Sequence, residues 1–107
     1  MIAVQACEAL KTRRRLELFY DGYSRVVEVH AVGFTAKDNA AMSVWQVRGG
    51  SVSNEPQGWK IMSLAEVRLA TITAEPSDAP RKGYNPANPA LPRITCKIAA
   101  TITGAYG

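Results

Sequence analysis

At 107 residues and 11.6 kDa the chain has room for one domain, which excludes a multi-domain enzyme. Its 47% hydrophobic and 21% charged residues support a modest core and exclude a disordered, collagen-like or disulfide-dense chain. Thirteen Lys plus Arg against nine Asp plus Glu give a net charge of +4, a mild bias towards anionic partners.

Ile2 to Thr12 carries Ile2, Ala6, Ala9 and Leu10 at three- and four-residue intervals without Gly or Pro, which predicts a helix. The basic run that follows, Arg13-Arg14-Arg15, has two readings: solvation of a helix C-terminus, where positive charge suits the macrodipole, or a phosphate-tracking patch. From Leu16 the period changes to two. Leu16, Leu18 and Tyr20 share one face, and Asp21-Gly22 supplies a hairpin turn.

Strand two is expected at Arg25 to Phe34, with Arg25, Val27, Val29 and Ala31 on one face and Val26, Glu28, His30 and Val32 on the other. Thr35 to Asn39 turns the chain into strand three, Met42 to Arg48, and a loop follows from Ser51 to Gly58. Strand four is Trp59 to Met62. Ser63 and Glu66 then have capping-box spacing around a single helical turn. In strand five, Val67 to Thr73, the residues Val67, Leu69, Thr71 and Thr73 oppose Arg68, Ala70 and Ile72.

Five of the six prolines lie between Pro76 and Pro92, which excludes regular structure there. Beyond them Ile94, Cys96 and Ile98 alternate with Thr95 and Lys97, predicting an added edge strand on this chain or on a neighbour's. Gly104 to Gly107 reads as a frayed end. Five short strands joined by tight turns suit a small bent barrel, so the expected class is mainly β. The organisation expected is a barrel with an N-terminal helix over 1–75 and a Pro-rich extension over 76–107.

Cys7 and Cys96 form no metal-ligand spacing and are expected as two buried thiols, a single long-range disulfide being the other arrangement. No apolar run reaches the roughly 20 residues that cross a bilayer, so a cytoplasmic chain with no membrane partner and no cofactor is the expectation. No nucleophile motif, metal cage or phosphate loop is present, and Glu17, Glu28, Glu55 and Glu66 lack paired spacing, so the expected function is non-enzymatic.

Arg25, Arg48 and Lys60 stand on strands otherwise dominated by apolar residues. They either reach water or a neighbouring carboxylate, or form a shallow anion site. Trp45 and Trp59 flank these cations, as core aromatics or as stacking platforms for a base. His30, the single histidine, is either a hydrogen-bonded strand residue or a ligand contact.

Arg14-Arg15-Leu16-Glu17-Leu18-Phe19-Tyr20-Asp21-Gly22 followed by Arg25-Val26-Val27-Glu28-Val29-His30-Ala31-Val32 resembles the opening of a WYL domain. The resemblance continues through Met42 to Arg48 and Trp59-Lys60-Ile61 and covers residues 8–73. It departs at the triplet that names the family, where this chain has Met42-Ser43-Val44 before Trp45, and at a strand-two proline replaced by Val29.

The resemblance implies an Sm-like, SH3-type barrel in a stand-alone bacterial relative of transcription regulators that sense a nucleotide or nucleic acid. It implies ligand contacts at His30, Ser43, Arg48 and Lys60, to which the residue chemistry adds Trp45 and Arg25. The expected ligand is a nucleotide or a short single strand. The alternative is a protein-interaction or assembly module in which the C-terminal edge strand Ile94 to Ile98 pairs with another chain, as in a homo-oligomer; a third reading is a partner to a separately encoded DNA-binding protein.

Overall fold

The computed structural model describes residues 2–51 and 57–98. Glu55 and Gly104 to Gly107 lie outside them, as does most of the loop expected at Ser51 to Gly58. Helix α1 (Ile2–Thr12) is followed by β1 (Arg14–Tyr20), β2 (Tyr23–Phe34), β3 (Ala40–Gly49) and β4 (Gly58–Ser63). A 3₁₀ turn (Leu64–Glu66), β5 (Arg68–Pro76) and β6 (Arg93–Lys97) complete the chain. All strand pairings are antiparallel, in the order β4-β3-β2-β1-β5. β6 pairs with β2 of its own chain beyond the end of β1, at Ala31 to Phe34.

The elements start and stop for local reasons. Arg13 takes a φ of +56° and ends α1. Asp21 and Gly22 have φ of +50° and +79°, the left-handed pair that a two-residue hairpin needs, and Tyr20 faces Tyr23 across it. The capping box expected at Ser63 does not form. Ser63 makes no side-chain cap, and its backbone N–H instead donates to the Tyr20 hydroxyl at 3.1 Å.

On the inner face, α1 sets Ala6, Ala9 and Leu10 against Leu16, Leu18, Val27, Val29, Met42, Val44 and Met62, all buried. The alanines let the helix lie close to the sheet, and each large apolar side chain so buried stabilises by about 1.5–3 kcal/mol.

Strict alternation fails at several places; between Val26 and Val27 the ladder skips Val47, which brings Arg48 to the same side as Trp45. A bulge between Val29 and Ala31 moves Val32 into the core cluster and sets Ala31 against Ala41 and Leu91, the reverse of the expected faces. In β5, Leu69 has a φ of +54° and is 79% exposed, while Ala70 and Ile72 pack on the core. One residue out of the β region re-aims those that follow.

Cys7 of α1 and Cys96 of β6 are joined as a disulfide, not held as two thiols. The helix places Cys7 beside the returning edge strand, a proximity across 89 residues of sequence that spacing cannot reveal. β4 and β5 lie at opposite ends of the strand order, and no ladder joins them among the described residues.

Candidate functional site

The outer face of the sheet sets polar and aromatic side chains beside the small apolar group Ala31, Ala41 and Leu91, and residues 77–91 cover it. Glu28, at the centre of β2, has no solvent exposure and receives four donors: Arg15 Nε at 2.9 Å, Arg81 Nε at 2.7 Å, Arg81 Nη2 at 3.2 Å and the Asp78 backbone N–H at 2.8 Å. Burial raises its pKa, but the Arg81, Asp78 and Arg15 hydrogen bonds outweigh it, and the carboxyl titrates below its ordinary value of 4.5. Arg15 also reaches Glu75 and Asp78. Arg13 Nη1 donates to the Ala79 carbonyl and Arg14 Nη1 to that of Ala74. All three arginines of the basic run therefore hold the chain's own segment 74–79.

His30 is also fully buried. Its Nε2 accepts the Arg81 backbone N–H at 2.9 Å, so Nδ1 carries the proton and donates to the Glu28 carbonyl at 3.0 Å. Burial lowers its pKa from the ordinary 6.5, opposed by the hydrogen bond to the Glu28 backbone and by the Glu28 charge. A neutral imidazole with both nitrogens engaged by its own backbone is a structural element, with no lone pair left for a substrate.

Both tryptophans belong to this roofed layer. Trp45 and Trp59 face each other across β3 and β4 with ring centroids 5.6 Å apart, and Trp59 lies 4.6 Å from His30. Arg81 sits over Trp45 at 5.5 Å, and the Trp59 indole N–H donates to the Lys82 carbonyl at 3.1 Å. Arg48 forms a two-pronged pair with Glu75 at 2.7 and 3.0 Å. The hydrogen bond from Arg48 holds the Glu75 pKa at about 2.

Strand alternation puts the other two expected residues on the inner side. Arg25 is only 3% exposed and lies between Tyr20 and Tyr23, 5.3 and 5.6 Å from their ring centroids. It donates to the Tyr20 carbonyl and to Gln46 Oε1, while its Nη2 is buried without a partner. Lys60 faces Val44 in the ladder, and its ammonium donates to Ser51 Oγ at 3.0 Å. His30, Ser43, Trp45 and Arg48 thus share the outer face. Arg25 does not join them; Lys60 is rooted opposite inward-facing Val44 yet lines a cleft with Ser43, and the cations do not converge on one wall.

The opening on the outer side is a cleft of about 160 Å³ between β4 and residues 83–88, lined by Ser43, Trp59, Lys60, Ile61, Gly83, Asn85 and Asn88. Ser43 is 5% exposed, and no hydrogen bond to another described residue engages its hydroxyl. Asn85 and Asn88 were not singled out by sequence reasoning, nor were Arg15 and Arg81 as partners of Glu28. The repeated Asn-Pro at Asn85-Pro86 and Asn88-Pro89 is the signal for two successive turns, and a Glu inside a valine-rich strand is the signal for a buried charge. Among the described residues no group of three His, Cys, Asp or Glu could hold a metal. Compared with known proteins, the chain matches no family model, no curated protein and no solved structure.

Proposed function

We propose that the protein is a non-catalytic binding module of the Sm/SH3 barrel type, related to WYL domains, that takes a nucleotide or the end of a short single strand in the cleft between β4 and residues 83–88. The observation that carries this is Ser43, a residue only 5% exposed whose hydroxyl has no hydrogen-bond partner among the described residues and opens to the wall of a cleft that also offers an indole and two amides. Lys82, exposed next to Gly83 of that wall, supplies a cation for a phosphate outside it. The barrel reading is supported by the strand order and by the 3₁₀ turn between β4 and β5.

The broad basic surface expected from composition has less support. Arg15, Arg48 and Arg81 already hold Glu28, Glu75 and Asp78. Assembly through β6 also has less support, because β6 lies on its own β2. The Cys7–Cys96 bond favours an oxidising compartment over the cytoplasm that the composition suggested.

Titration with nucleoside monophosphates, followed by tryptophan fluorescence, tests the reading. Binding that weakens with salt, and that Lys82→Ala weakens several-fold while flattening the salt dependence, is the expected result. No response to any nucleotide at low salt would sink it.

A further inference from the structure

Resting on that reading, we propose that the cleft selects a planar ring whose edge carries carbonyl oxygens and no amino group, a uracil or thymine base over cytosine or adenine. Asn85 Oδ1 accepts the Ala87 backbone N–H at 3.0 Å, and Asn88 Oδ1 accepts that of Ala90 at 2.9 Å. With one lone pair of each oxygen held by these turns, the NH₂ of each amide, a two-donor group, is the part with no partner in the turn. The Ser43 hydroxyl can donate to a carbonyl as well as accept, while the Trp59 N–H is taken by Lys82. No carboxylate lines the cleft among the described residues, so an exocyclic amine finds no charged acceptor there.

The open edge of β4 completes the match. Ser63 turns its N–H away from β3 to Tyr20, and by the two-residue period of an antiparallel ladder Ile61 also turns its N–H and C=O outward. A backbone carbonyl beside the amide and hydroxyl donors suits a ring in which one N–H lies between two carbonyls. At about 160 Å³ the cleft is below the roughly 300–1,000 Å³ of sites for drug-sized ligands, so it takes the base and leaves sugar and phosphate outside.

The test compares UMP, TMP, CMP and AMP by calorimetry on the intact, oxidised chain. UMP and TMP are expected to bind about tenfold tighter than CMP and AMP, the scale of one well-placed hydrogen bond. Asn88→Asp keeps an oxygen for the Ala90 N–H but replaces the donor with an acceptor, and is expected to turn the preference towards CMP. Ser43→Ala is expected to lower UMP affinity several-fold, and it preserves the test should Asn88→Asp fail to fold. Equal affinity for all four, or an Asn88→Asp or Ser43→Ala protein that binds as the parent does, overturns the base assignment while leaving nucleotide binding in place. Silence with every nucleotide instead removes the underlying reading.

Discussion

On one face of β2, Val27, Val29 and Val32 bury against α1; on the other, Glu28 and His30 bury against residues 78–84. Both faces are closed to water, yet they are specified differently. The inner face needs only apolar shape, which tolerates exchange of one hydrocarbon for another. The outer face needs donors and acceptors in register. Glu28 requires both arginines, and His30 requires the Arg81 backbone, so loss of one partner strands a charge or a lone pair. The Pro-rich segment is thereby positioned by polar complementarity as well as by the buried Ala79 and Leu91, and the cleft at its edge inherits that placement.

The largest effect expected to sharpen this contrast is Glu28→Ala, which leaves Arg15 and Arg81 facing each other without their shared carboxylate. Chemical denaturation should show a loss of about 3–5 kcal/mol, the cost of breaking a buried pair. A loss under about 0.5 kcal/mol would reduce the outer face to ordinary surface. Met62→Ala on the inner face should cost about 2–5 kcal/mol through its cavity, but without releasing residues 77–91 to protease. Reducing the Cys7–Cys96 bond, or replacing both cysteines with Ala, should lower stability by about 2–4 kcal/mol. An unchanged denaturation midpoint would mean the bond joins elements already fixed.

Acid should separate the faces as well, because the titrating groups named here lie on the outer one. His30 has a depressed pKa, so below its ordinary 6.5 the unfolded chain binds the proton more readily and stability falls with pH. Glu28 and Glu75 also titrate below 4.5, so their contribution is complete above that value and is lost as pH falls through their folded pKa values, about 2 for Glu75. A two-stage decline in stability is expected, with the upper stage absent in His30→Asn. A single stage that this variant leaves unaltered would contradict the assignment. The smallest effect should come from Arg48→Ala, whose pair with Glu75 is solvent-screened. Its midpoint should stay within experimental error of the parent.

Elements formed by near neighbours in sequence were legible: α1 from its apolar spacing, β1 and β2 from alternation and Asp21-Gly22, and β6 from three alternating residues beyond the prolines. The Val29–Ala31 bulge and the inverted φ at Leu69 leave no mark on hydropathy, so the expected faces of β2 and β5 were partly exchanged. The site was less legible. Four of its six expected residues share a face, but periodicity says nothing about a turn-rich segment folding over that face. The ion pairs that neutralise it join Glu28 to Arg81, and Arg48 to Glu75, across stretches of chain with no common pattern.

The link between α1 and β6 also changes the topology of the polypeptide. Cys7 and Cys96 turn everything between them into a covalent ring. One proteolytic nick in that ring opens it without shedding a fragment, so the cut molecule migrates as one species until a thiol is added and two bands separate.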